Sequence, residues 1–283
     1  ATSAHQVEGH CTNNDWWAWE QAGNVREPSG EACDHYHRFR EDFDLARELS
    51  HNAHRFSLEW SRIEPREGEF SREALDHYRD VLRALHDRGM TPVVTICHYT
   101  LPRWLAEQGG WENRQVESYF VRYVTRVVTE YRNLVRWWLT LNEPMVQVYK
   151  GWLIGQWPPG KTSYPAAIAV VRRMLRAHVK AYGVIHGIQP EARVSVAQHA
   201  LALSPCNPKS LRDKLSVHVR STIINHLFLD ALHTGVLRVP GLFWEHLPFG
   251  HTLDYIAINY YTRDFVRNTG FSLPGILGDG KGV

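Results

Sequence analysis

Short apolar runs alternate with amphipathic helical patterns along nearly all of this sequence, and that alternation is the strongest constraint on its fold. Ser71 to Arg88 (SREALDHYRDVLRALHDR) carries Leu75, Tyr78, Leu82 and Leu85 at steps of three and four, with Ser71 placed as an N-cap and Gly89 just past the end. This is the pattern of a helix with one buried stripe. Thr91 to Cys97 (TPVVTIC) comes next, a β-branched run without alternation, as expected of a strand covered on both faces. Strand-like runs recur at Ala53 to Leu58, Val135 to Leu141, Ala192 to Ala197 and Tyr255 to Asn259. Helical patterns lie between them at about 36–50, 115–131, 164–186 and 217–232.

Repeated βα units imply a parallel sheet. A doubly wound sheet and a (β/α)8 barrel share the alternation but place their chemistry differently. The sequence has neither GxGxxG nor GxxxxGK. Polar residues instead follow several different strands: His98, then Asn142 and Glu143, then Gln198 and His199, then Asn259 and Tyr261. That distribution favours the α/β TIM-barrel type, in which the site is assembled from many strand ends. With a first strand at Ala1 to Gln6, about six of the eight βα units are expected. No Ser/Gly/Pro linker or shift in composition divides residues 1–283, so a single barrel domain is expected.

Composition removes several classes of function. Lys and Arg number 32 against 30 Asp and Glu, a formal net charge of +2, which leaves no excess to hold a nucleic acid backbone or an anionic membrane. No apolar stretch approaches the roughly 20 residues of a spanning helix. Cys11, Cys33, Cys97 and Cys206 show no CxxC or Cys/His zinc spacing, so reduced thiols in a cytoplasm are expected. Eleven Trp beside seventeen His suggest an aromatic-lined ligand site or unusually aromatic packing.

The segment that carries chemistry is Thr140 to Pro144 (TLNEP), where an apolar run delivers an amide and a carboxyl side by side before a proline. A Glu held among Trp137, Trp138 and Trp152 would be partly desolvated, which raises its pKa and suits it to donate a proton. A Glu that only caps the following helix would give the same pentapeptide.

At this point the sequence resembles the family 1 glycoside hydrolases, the β-glucosidase and β-galactosidase family. The matching segments are SAHQVEG (Ser3 to Gly9), ACDHYHRF (Ala32 to Phe39), HRFSLEWSRIEP (His54 to Pro65), PVVTICHYTLPRWL (Pro92 to Leu105), GGWENR (Gly109 to Arg114), WLTLNEP (Trp138 to Pro144) and INYYTRDF (Ile258 to Phe265). They stand in family order. The resemblance implies a retaining β-glycosidase with Glu143 as general acid/base and with Gln6, His98 and Asn142 binding the sugar. Asn259 and Tyr261 match the NYY motif, whose second Tyr normally hydrogen-bonds the nucleophile. The implied substrate is a β-glycoside or other small molecule. No metal or other cofactor is implied, and a metal on His5, His98 and His199 is disfavoured for that reason.

Departures from the family matter as much. Tyr99 and Thr100 stand where Trp and Asp usually follow the His. Retaining glycosidases need a second carboxylate about 5 Å from the first, which the family carries in a TENG-type motif. These 283 residues contain no such motif. Glu8, Glu59 and Asp264 lie near strand ends, but Glu8 and Glu59 belong to the ordinary family pattern and none is a convincing substitute. A barrel short of its last units leaves open strand edges and apolar interior. A second copy of the chain, a complementary fragment or the tail Phe271 to Val283 could cover them, with homo-oligomerisation expected because the tail is Gly-rich and offers only Phe271, Leu273, Ile276 and Leu277. Two functions stand: a β-glycosidase inactive or very weak without an outside nucleophile, and a catalytically silent open barrel binding a sugar or a flat apolar ligand such as a haem.

Overall fold

The computed structural model describes residues 1–239 and 243–282, and the chain divides into two compact units, Ala1–Asn142 with Gln147–Val196 and Glu143–Val146 with Ala197–Val283. In chain order the first unit holds α1 (Ala4–Val7), α2 (Asp15–Gln21), α3 (His35–Glu48), β1 (Ala53–Ser57), α4 (Trp60–Ile63), α5 (Arg72–Asp87), β2 (Thr91–Cys97), α6 (Arg103–Glu107), α7 (Val116–Tyr131) and β3 (Trp137–Asn142). The chain passes through α8 (Pro144–Val148), and the first unit is completed by α9 (Tyr164–Ile188) and the start of β4 (Arg193–Pro205). The rest of β4 belongs to the second unit. That unit continues with α10 (Leu211–Ser221), α11 (Leu227–Thr234), β5 (Val236–Val239), β6 (Phe243–His246), β7 (Ala257–Arg267), α12 (Leu273–Leu277) and β8 (Asp279–Gly282).

The strands of the first unit are parallel, with Ala53 opposite Thr91 and Val93 opposite Trp137. Strands so paired need a helix between them to reverse the chain, and α5 and α7 serve. Ser71 caps α5 through Ala74 N at 3.1 Å. Its buried stripe is Leu75, Tyr78, Val81, Leu82 and Leu85, the spacing the sequence shows. Phe120, Val124, Val127 and Tyr131 do the same for α7. Removing any one of these large side chains costs about 2–5 kcal/mol.

In the second unit β4 and β7 run parallel, with Ala197 opposite Ala257 and His199 opposite Asn259, and β8 returns antiparallel on β7 over Asp264 to Arg267. The tail therefore forms a short helix and a strand rather than a loose plug. Phe271 is exposed, and the side chain of Leu273 lies outside the described residues. β5 and β6 form a separate antiparallel ribbon.

Some boundaries differ from expectation. Ala1 to Gln6 is not a strand: Thr2 N donates to Arg55 O at 2.9 Å, then the chain turns into α1, with Ala4 N held by Ser57 Oγ at 2.8 Å. The strand expected at Tyr255 to Asn259 starts two residues later and extends to Arg267. The helix expected near 217–232 is two helices joined by a wider helical turn, Thr222–His226.

Two histidines in the first unit are buried in aromatic company. His77 stacks on Tyr36 with ring centroids 3.6 Å apart, and His54 packs edge-on against Phe43. Burial, and then neighbouring positive charge, pushes each imidazole down to about 4 from an ordinary value of 6.5. A depressed histidine pKa contributes stability that is present above the unfolded-state value and lost as pH falls through the folded one. The thermal midpoint should therefore fall between pH 6.5 and about 4, and His77→Phe should lose less over that interval than wild type. Parallel curves from the two proteins would refute this.

Candidate active site

Glu143 sits between β3 and α8, and Pro144 starts the helix at its first position, where its missing N–H costs nothing. The turn requires Glu143 to adopt φ 43°, the left-handed region, which a residue with a Cβ enters at a cost of about 1–3 kcal/mol. Its backbone N–H donates to Ala197 O at 2.7 Å, and the side chain is buried.

The second unit brings three of the polar residues together on this carboxyl. Asn259 Nδ2 donates to Glu143 Oε1 at 2.7 Å, and the Tyr261 hydroxyl donates to the same oxygen at 3.4 Å. His199 Nδ1 stands 3.6 Å from it, with its ring stacked on Tyr261 at 5.6 Å between centroids. The β4–β7 register explains the convergence: His199 and Asn259 are cross-strand partners, and Tyr261 follows Asn259 by the two-residue period of a strand. A protonated carboxyl that accepts on Oε1 carries its proton on Oε2, so the donors also select which oxygen would hold a proton.

The remaining sugar-binding candidates lie in the first unit. Gln6 is exposed on α1, its Oε1 accepting from Ser3 Oγ at 2.6 Å. His98 follows β2 and meets the Tyr99 ring edge-on at 4.9 Å. Asn142 ends β3, buried, with Oδ1 accepting from Arg55 Nη2 at 2.5 Å. The tryptophans named as neighbours of the acid direct their indole N–H groups within the first unit, Trp138 to Gln189 at 3.0 Å and Trp152 to Glu112 at 2.8 Å. His5 is taken up by Glu20 at 2.8 Å and Asn14 at 3.1 Å.

Sequence reasoning missed an aromatic group in the first unit. Trp157 meets Trp16 at 5.2 Å and Tyr99 at 5.0 Å. The signal was the tryptophan density together with Tyr99 at a position where the family has Trp. Tyr99 also holds φ 72°.

The three alternative carboxylates are each engaged. Glu8 accepts from Arg62 Nε and the Tyr78 hydroxyl, both at 2.9 Å. Burial nonetheless outweighs these donors and pushes its pKa up to about 7. Asp264 pairs with Arg220 at 2.9 Å. Glu59 is buried and accepts from Ser61 Oγ at 2.5 Å and Thr100 Oγ1 at 3.0 Å, which gives the unusual Thr100 a structural task.

A βα chain with a carboxyl and amide at strand ends is the architecture of a barrel hydrolase. A model of glycosyl hydrolase family 1 matches residues 1–238, and the chain belongs to that family. Beta-glucosidase A of Thermotoga maritima is 30% identical over 94% of the chain and 64% of its own length. A beta-galactosidase of Pyrococcus woesei is 27% identical over the same shares. The solved beta-glycosidase of Pyrococcus horikoshii superposes with a TM-score of 0.89 at 33% identity, covering 100% of this chain and 65% of that one. The Thermotoga maritima beta-glucosidase in complex with glucoimidazole gives a TM-score of 0.89 at 29% identity, covering 95% of this chain and 66% of that one. The fold is therefore of the TIM-barrel type, and the chain spans just under two thirds of the first curated relative it matches.

If Glu59 is a structural acceptor, Glu59→Ala strands Thr100 and Ser61 and should cost about 2–4 kcal/mol in denaturant unfolding. A variant as stable as wild type would show that Glu59 is not held for the fold.

Proposed function

We propose that this chain carries the acid/base half of a retaining β-glycosidase acting on β-linked glycosides. In the first step Glu143 gives its proton to the leaving glycosidic oxygen as the bond to C1 breaks. In the second it takes a proton from the water that attacks C1. A carboxylate from outside these 283 residues attacks C1 and holds the sugar between the two steps. Gln6, His98 and Asn142 carry the sugar-hydroxyl roles that their family motifs imply. The observation that carries the reading is the convergence of Asn259 and Tyr261 on Glu143 Oε1 at 2.7 and 3.4 Å. A carboxyl held merely to cap a helix has no use for two donors from another strand.

Small anions separate the two carboxylate roles. Azide added to the purified chain with an activated aryl β-glucoside should substitute for the outside nucleophile and give the α-configured glycosyl azide. Glu143→Gln should then lower turnover of glucosides with poor leaving groups by about 10²–10⁴-fold, while the activated substrate, which needs little acid help, is far less affected. Equal rates for both proteins on both substrates would remove Glu143 from the mechanism. Fast cleavage without azide would put the nucleophile inside these residues.

A further inference from the structure

His199 is not among the residues to which the family motifs give a role, yet its position beside the acid is built. The parallel register sets it opposite Asn259 on the neighbouring strand, and Tyr261 stacks on its ring at 5.6 Å. Its Nδ1 is buried, has no hydrogen-bond partner among the described residues, and lies 3.6 Å from Glu143 Oε1. A buried ring nitrogen left unpaired costs about 1–3 kcal/mol, which closing a few tenths of an ångström onto that oxygen would recover.

We propose that His199 is a positioning residue for Glu143, donating Nδ1–H to Oε1 once the carboxyl has lost its proton. This rests on the functional reading above and deepens it. When Glu143 protonates the leaving oxygen, Oε1 and Oε2 come to share a full negative charge, which Asn259 and Tyr261 already face. An imidazole N–H drawn in by that charge stabilises the carboxylate during the step in which it acts as base. When water's proton returns to Glu143, the attraction relaxes. No proton leaves the His199 ring, so the cycle balances with the two transfers at Glu143.

Among the described residues, the groups that Tyr261 and the Thr222–His226 turn give to this part of β4 are neutral hydrogen-bonding ones. Tyr261 presents a phenol. The helical turn Thr222–His226 presents the Ile224 carbonyl to Gln198 and the Asn225 amide to the Leu201 backbone. His226 on that turn is exposed.

The test reads the imidazole directly and needs no turnover. In a histidine-labelled protein followed by NMR, the His199 signals are identified by their loss in His199→Asn. A hydrogen bond from Nδ1–H to the Glu143 carboxylate holds the Nδ1–H tautomer, so Glu143→Gln should move the His199 Nδ1 resonance. Glu143→Ala gives the same comparison if the first variant does not fold. An Nδ1 resonance that stays where it was overturns the proposal. On azide-rescued turnover, His199→Phe should slow the reaction about tenfold or more, and His199→Asn, which keeps a donor, should recover part of the loss. A moved Nδ1 resonance without any sugar cleavage keeps the proposal and sinks the glycosidase reading. Rescued turnover with an unmoved resonance does the reverse.

Discussion

One backbone hydrogen bond fixes where the Glu143 carboxyl goes: Glu143 N–H on Ala197 O, at 2.7 Å. It helps to offset the cost of holding a non-glycine residue at φ 43°, in the left-handed region. With it, the chain leaves β3, turns within one residue and enters α8 at Pro144. The carboxyl is then delivered to the strand pair β4–β7 rather than to the surface of the helix. Everything argued about the acid depends on that aim, because Asn259, Tyr261 and His199 are fixed by sheet register and cannot follow a carboxyl that points elsewhere.

The first unit shows how the same protein satisfies other buried carboxylates. Glu64 is completely buried, yet it holds Trp60 Nε1 and Gly68 N at 2.8 Å each and pairs with Arg122. Glu59 and Glu8 are likewise surrounded by donors. Asp15, whose Oδ1 accepts from Leu101 N at 2.9 Å, is nonetheless pushed up to about 7 by burial. Buried charge is tolerable only when each lone pair finds a donor, so these groups are distinguished by number and variety of donors, several of them cationic. Glu143, like Glu59, faces neutral groups, an amide and a phenol with an imidazole nearby, which orient a carboxyl without forcing it to stay ionised as an adjacent guanidinium does.

The sequence made the alternation, the helix stripes and the acid itself legible, because each is a local pattern. Leu75, Tyr78, Leu82 and Leu85 announce their helix whatever lies around them, and TLNEP marks the end of β3. What could not be read is whatever depends on register or on chain reversal. Nothing local shows that His199 stands opposite Asn259, which is decided by where β4 and β7 slide to rest. Nor does anything local show that Ala4–Val7 coils instead of extending, which follows from Ser57 Oγ holding Ala4 N. The sequence places Trp137, Trp138 and Trp152 as neighbours of Glu143, but no local pattern shows that the indole N–H groups of Trp138 and Trp152 donate to Gln189 and Glu112, acceptors that packing supplies.

The two-residue period of β7 has one further consequence. Aiming Asn259 and Tyr261 at Glu143 obliges Ile258 and Tyr260 to face the opposite way, and both are 59% exposed. Such side chains each gain about 1.5–3 kcal/mol when fully buried. Placing charged residues on that outer face would have made the strand soluble as it stands, at no cost to the donors on the other face. The same eleven residues thus turn Asn259 and Tyr261 toward Glu143 and leave Ile258 and Tyr260 as an exposed apolar pair. A polar substitution at Ile258 would change the second property while leaving the first intact.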